Sequence, residues 1–104
     1  MKDYNIDEAR EILKSHNPNE IRIIPHLQER WLERDFEINY IINCLIKEIP
    51  LSISKTYMNR FKLIYHHETK TSMDLYVIIE INDFGIVNVI TAYPKNKRSR
   101  ERER

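Results

Sequence analysis

Met73-Asp74-Leu75-Tyr76-Val77-Ile78-Ile79-Glu80-Ile81 has the clearest periodicity in the chain. Met73, Leu75, Val77, Ile79 and Ile81 recur at every second position, the period of a strand with one face turned to a core. Upstream, residues 57–67 (YMNRFKLIYHH) alternate in the same way. Tyr57, Phe61, Leu63 and Tyr65 fall on one face there, and Arg60, Lys62 and His66 on the other. Glu68-Thr69-Lys70-Thr71-Ser72 has the composition of a turn between the two. Downstream, Asn82-Asp83-Phe84-Gly85 reads as a second turn, with Gly85 free to take positive φ. Residues 86–93 (IVNVITAY) then read as a third strand that Pro94 closes. Alternating stretches joined by short turns predict an antiparallel meander.

The first half has a different period. In residues 6–15 (IDEAREILKS), Ile6, Ala9 and Leu13 share one helical face with Ile12 beside it. Acidic residues at its start and Lys14 near its end suit the helix dipole. His16-Asn17-Pro18-Asn19 ends it, because the residue before a proline is pushed out of helical conformation. A short apolar run, 21–24 (IRII), precedes Pro25, which suits a helix start. Residues 26–34 (HLQERWLER) read as a second helix, with Leu27 and Trp31 on one side. Residues 37–48 (EINYIINCLIKE) read as a third, with Ile38, Ile41, Ile42 and Leu45 inward and Pro50 after it. Helices first and strands second predict an α+β domain: two to three N-terminal helices packed on one face of a three- to four-stranded antiparallel sheet. The domain is expected to span 1–94, with 95–104 as a basic C-terminal tail.

Composition narrows the function classes. A chain of 104 residues, 41% hydrophobic and 32% charged, has the size and balance of one globular domain. No apolar run is long enough to cross a bilayer, and Met1-Lys2-Asp3-Tyr4 does not open a secretory leader, so a cytoplasmic protein without a membrane partner is expected. Gly85 is the only glycine, which excludes glycine-rich phosphate loops and dinucleotide-binding turns. The single cysteine, Cys44, lies between apolar neighbours and reads as a small buried side chain. The charge is uneven. Residues 95–104 carry six basic and two acidic side chains, whereas 1–94 carry eleven basic and fourteen acidic. Such a tail suits phosphate contacts, although charged termini are often simply solvated.

The chemistry-bearing residues fall into three groups. His26, Arg30 and Arg34 recur every four residues along one strip of the second helix. An imidazole, which ordinarily titrates at about 6.5, can give or take a proton, and guanidiniums can hold a phosphate through paired hydrogen bonds. The plainer alternative is that His26 caps its helix while the arginines pair with Glu29, Glu33 or Glu37. His66 and His67 end the first strand and, being adjacent, point to opposite faces. With Glu68 they suggest no metal set, because no further ligand pair stands at useful spacing. Thr91 and Tyr93 share a face at the end of the last strand. A phenol there can bond a phosphate oxygen, stack on a base, or only cover the sheet edge.

The string from His26 through Arg30 and Arg34 to Phe36, followed by a further helix and strands ending Ile90-Thr91-Ala92-Tyr93-Pro94, resembles a group of short prokaryotic domains. The group includes the BrnT-like toxins and belongs to a wider superfamily with RelE-type interferases, colicin-type tRNases, EndoU-like nucleases and barnase. The likeness covers about residues 21–95. It implies a RelE/barnase-EndoU-like fold and a metal-independent ribonuclease of toxin type, needing no cofactor and held by an antitoxin protein. Such enzymes cleave RNA, some of them on the ribosome, by attack of the ribose 2′-oxygen on the adjacent phosphate. That step needs a base, an acid and cations for the added negative charge. Carried over by position, His26 would be the acid/base, Arg30 and Arg34 would bind phosphate, and Thr91 and Tyr93 would orient phosphate or base. His66 and Lys62 are second candidates from strand geometry, and Lys95, Lys97 and Arg98 would add phosphate contacts. Two rival readings stay open: a non-catalytic nucleic-acid or protein-binding module using the basic tail, and a structural adaptor.

Overall fold

A computed structural model of the protein describes residues 3–15, 21–23, 38–68 and 70–98. Among these residues two helices, α1 (Ile6–Ser15) and α2 (Ile38–Lys47), accompany five strands: β1 (Ile21–Ile23), β2 (Ser52–Tyr57), β3 (Arg60–His66), β4 (Met73–Ile81) and β5 (Val87–Asn96). The fold is α+β. The five strands form one sheet in the order β1-β5-β4-β3-β2. From β2 to β5 neighbours are antiparallel, while β1 runs parallel to β5, with Ile21 opposite Val87 and Ile23 opposite Val89.

Local chemistry accounts for the elements. Asn5 caps α1: its Oδ1 accepts from the Glu8 N–H at 2.8 Å, and Glu8 Oε1 accepts from the Asn5 N–H at 3.2 Å. This reciprocal pair satisfies donors that the first helical turn leaves open. Ala9 and Leu13 of α1 and Ile41, Cys44 and Leu45 of α2 are buried in one cluster with Phe61, Leu63, Tyr65, Leu75, Val77, Ile79 and Val89. Both helices therefore cover the same sheet face, which holds the odd-numbered residues of β3 and β4. Full burial of each large aliphatic side chain contributes about 1.5–3 kcal/mol, so this layer is the main source of stability.

The structure corrects the expected three- to four-stranded antiparallel sheet. The stretch 57–67 is not one strand. Met58 and Asn59 form a two-residue turn with Asn59 at φ 53°, so Tyr57 ends a strand that begins at Ser52. Tyr57 is consequently exposed rather than inward. Alternation in Ser52–Tyr57 is nearly invisible because an edge strand with polar side chains has little to bury. The apolar run at 21–23 pairs with β5 and adds the parallel contact. Pro94 does not close the last strand, which continues to Asn96. Among the described residues β1 reaches only Val89, so at Pro94 β5 has a described neighbour on one side alone, where a residue lacking its N–H is tolerated. Lys95 and Asn96, counted above with the tail, belong to β5. The helix expected over 26–34 lies outside the described residues.

Candidate nucleic-acid interface

The sheet face away from α1 and α2 mixes polar residues with Ile64 and Ile78, and register sets their order. Directly opposed residues share a face. Three rows cross from β3 through β4 to β5: Lys62–Ile78–Thr91, Ile64–Tyr76–Tyr93 and His66–Asp74–Lys95. A fourth row, Arg60–Glu80–Asn88, closes one end, where the Arg60 guanidinium meets Glu80 Oε2 at 2.9 Å.

A β-bulge puts Thr91 and Tyr93 on this face. Ile79 pairs with Val89 and Ile78 with Thr91, leaving Ile90 as an extra residue. Strict alternation from Val87 and Val89 would have sent Thr91 and Tyr93 into the core. The bulge reverses the parity, so Ala92 is buried with Val89 while Thr91 and Tyr93 turn outward.

Tyr76 is the centre of the arrangement. It is fully buried although it lies on the face away from α1 and α2. The Tyr93 ring stands 5.5 Å from it, centroid to centroid, tilted by 33°. The ammonium groups of Lys62 and Lys95 lie 5.7 and 5.2 Å from the Tyr76 centroid, within cation–π range. Two cations and a half-buried phenol thus converge on one ring, with Lys95 exposed to solvent. Lys62 sits a row before Tyr76 and Lys95 a row after it, flanking the platform along the strands.

His66 is exposed at the end of β3, on the same face as Lys62, with β4 between it and β5. Its carbonyl accepts from the Tyr40 hydroxyl of α2 at 2.7 Å, which fixes the strand end. Two strand spacings separate His66 from β5, about 10 Å, so His66 and Tyr93 flank the platform from opposite sides. His67 turns away and is buried, its Nδ1 accepting from the Lys70 N–H at 3.1 Å. Among the described residues no cluster of three His, Cys, Asp or Glu side chains could hold a metal.

Five of the sequence candidates, Lys62, His66, Thr91, Tyr93 and Lys95, therefore share one face. Lys97 and Arg98 follow β5 beyond its last residue, where Asn96 Oδ1 accepts from the Arg98 N–H and the Lys97 N–H bonds the Ser72 carbonyl. His26, Arg30 and Arg34 lie outside the described residues. Tyr76 and Asp74 were missed by sequence reasoning, which followed only the odd-numbered apolar face of β4. The same alternation puts both on the polar face and could have found them. Cys44 is buried as expected. Burial pushes its thiol up to about 11 and the neighbouring Tyr40 phenol up to about 12, and it drives the Tyr65 phenol higher still. A thiol held neutral in this way is a poor nucleophile.

No protein-family model, curated protein or solved structure matches the chain significantly, so the likeness to ribonuclease toxin domains rests on the residues quoted for it.

Proposed function

We propose that the protein binds single-stranded RNA on the Lys62–Tyr76–Tyr93–Lys95 face and cleaves it without a metal ion. The observation that supports this reading most is the convergence of two lysine ammoniums and the Tyr93 phenol on Tyr76. The half-buried Tyr93 ring can meet a base, and the two ammonium groups over the neighbouring buried Tyr76 can meet a phosphate. The acidic balance of residues 1–94 makes this local basic patch more specific than a general attraction for polyanions.

Cleavage would proceed by attack of the ribose 2′-oxygen on the adjacent phosphorus. A base removes the 2′-hydroxyl proton, the bond to the 5′-oxygen breaks, and an acid protonates that leaving oxygen, giving a 2′,3′-cyclic phosphate. His66 supplies one proton-transfer group, and Lys62 and Lys95 carry the charge that builds on the phosphate. Tyr93 orients the phosphate or stacks on the base, and Thr91 adds a hydroxyl in the Lys62 row. The family resemblance offers His26 as the second proton-transfer group and Arg30 and Arg34 as further phosphate ligands. In such toxins a protein partner holds the enzyme inactive, and that partner belongs to the same proposal.

A second reading, binding without cleavage, draws on the continuity of Lys95 in β5 with the basic segment that follows. One experiment separates the two. A labelled single-stranded RNA is incubated in EDTA with wild type, His66→Ala, Tyr93→Phe and His26→Ala, and both affinity and product ends are determined. Cyclic-phosphate products that His66→Ala or His26→Ala abolishes support the nuclease. Tight, salt-sensitive binding with intact RNA, on ribosomes as well as in free solution, supports the binding module. No binding at all overturns both.

A further inference from the structure

The opposite end of the sheet carries a second surface. The β4–β5 turn presents Phe84 to solvent with 89% of its area exposed. The turn is held by its own hydrogen bonds. Asn82 Oδ1 accepts from the N–H groups of both Phe84 and Ile86 at 2.9 Å, and the Asn82 carbonyl accepts from the Gly85 N–H at 3.0 Å. Gly85 supplies the φ of +77° that the turn needs. The Tyr4 hydroxyl also donates to the Asn82 carbonyl, at 3.0 Å, tying the turn to the start of α1. An aromatic ring held outward by so constrained a backbone is pre-organised, and ordering costs on binding are small.

Between Phe84 and α1 lies a groove of about 700 Å³. Tyr4, Ile12 and Phe84 line it together with the acidic residues Asp7, Glu8, Glu11 and Asp83, of which Glu8 also closes the α1 cap. Among the described residues no lysine or arginine lines it. On a helix, positions 7, 8, 11 and 12 fall within one arc, so the three acids of α1 and Ile12 face the groove together. Tyr57 and Met58 are exposed at the β2–β3 turn of the same sheet end, 72% and 49%. Aromatic residues and methionine are the types enriched at protein interfaces.

We infer that this groove docks a cationic amphipathic segment of a partner protein, its apolar side chains against Phe84 and Ile12 and its lysines or arginines on the acidic rim. Charge decides the class of occupant. The rim repels nucleic acid and anionic lipid, whereas an apolar ring beside several carboxylates complements a helix or strand with one basic and one apolar side. The site is independent of the RNA reading. Arg60 and His66 mark opposite ends of β3, about 20 Å apart at strand rise, so a docked partner leaves the Lys95 end open.

The test uses the full chain and a fluorescein-labelled peptide of about fourteen residues. Lysine and leucine are placed so that leucine recurs at i, i+3, i+4 and i+7. A scrambled peptide of equal composition is the control, and polarisation is read at low and high salt. The amphipathic peptide is expected to bind at least about tenfold more tightly than the scrambled one. F84S, an exposed change that leaves the core intact, and E11K should each weaken it about fivefold or more, and E11K should flatten the salt dependence. The double variant K62A/K95A should bind as wild type does. Equal binding of both peptides would reduce the surface to simple charge attraction and overturn the proposal. So would insensitivity to both F84S and E11K. A concentration-dependent dimer that F84S abolishes, with no peptide binding by wild type, would assign the groove to a second copy and overturn it as well.

Discussion

Tyr93 stands directly opposite Tyr76 across the β4–β5 ladder, its ring 5.5 Å from a ring that solvent does not reach. The pairing gives the polar face a rigid centre. The outer ring remains partly open, while the inner one fixes its tilt and anchors two ammonium groups. Edge and offset aromatic pairs of this kind are worth about 0.5–1.5 kcal/mol beyond burial. The arrangement supplies a base-sized platform and phosphate-sized charge within one row spacing of each other.

If RNA lies on that platform, the lysines and the ring should be separable by salt. Each phosphate neutralised on a single strand contributes about 0.7 to the slope of log K against log salt. Lys62→Ala with Lys95→Ala should reduce that slope by about 1.4 and weaken binding at every salt concentration. Tyr93→Ala should instead cost about 1–3 kcal/mol with the slope unchanged, as loss of stacking does. Titration of a labelled RNA by polarisation at several salt concentrations checks both. Equal slopes for wild type and the double lysine variant would remove these cations from the interface.

The bulge at Ile90 makes a less obvious prediction. Because Ile79 pairs with Val89 and Ile78 with Thr91, Ile90 is surplus to the register. Deleting it joins Val89 to Thr91 and leaves every later residue on its present face. The deletion should therefore fold, retain the Tyr76–Tyr93 contact, and cost no more than about 1–2 kcal/mol in a urea titration, despite being an internal strand deletion. Loss of the fold would show instead that the local twist imposed by the bulge is indispensable.

That bulge also marks where the sequence stops being legible. The β4 stretch 73–81 could be read residue by residue because one face is apolar throughout, and α1 because its apolar spacing and flanking charges agree. α2 was readable for the same reason. Ser52–Tyr57 was not, since an edge strand with small polar side chains leaves no period to detect. Nor was β1, whose three residues pair in parallel with a strand more than sixty positions away, a contact that no local pattern encodes. Thr91 and Tyr93 were correctly placed on a common face. Whether that was the core face depended on Ile90, and an extra residue is invisible to alternation alone. Tyr76 was overlooked because its neighbours Leu75 and Val77 dominate the pattern.

Asn59 joins two parts of the molecule. It takes φ 53° at the β2–β3 turn, and its Oδ1 accepts from the buried Tyr4 N–H at 2.8 Å. Its carbonyl receives the Ile81 N–H at 2.9 Å. Asn59→Ala imposes left-handed strain and leaves a buried donor without its acceptor, for a loss of about 2–4 kcal/mol. Asn59→Gly relieves the strain alone and should lose less, whereas Asn59→Asp retains both the acceptor and the tolerance for positive φ. Chemical denaturation of the three variants should rank them Asp, Gly, Ala from most to least stable. Alanine as the mildest change would separate the hydrogen bond and the backbone conformation from stability.

The Tyr40–Cys44 pair predicts an alkaline limit to stability. Burial raises the Cys44 thiol from its ordinary 9.0 to about 11 and the Tyr40 phenol from 10.0 to about 12. A group whose folded pKa is raised binds its proton more tightly folded than unfolded. Its contribution is complete below the unfolded value and disappears as pH climbs through the folded one. For Cys44 that window is pH 9 to 11, and for Tyr40 pH 10 to 12. Stability should be flat with respect to these groups below pH 9, then fall by about 2 kcal/mol from Cys44 alone by pH 11. Cys44→Val, which keeps an apolar side chain of similar size, should remove the first part of that fall while leaving the part above pH 11. Urea midpoints at pH 8, 9.5, 10.5 and 11.5 for the two proteins give the comparison. A wild-type curve that falls no faster than the valine variant between pH 9 and 11 would mean that the thiol reaches solvent in the folded protein. Rapid reaction with a thiol reagent at pH 8 would lead to the same conclusion, because only an accessible thiolate reacts.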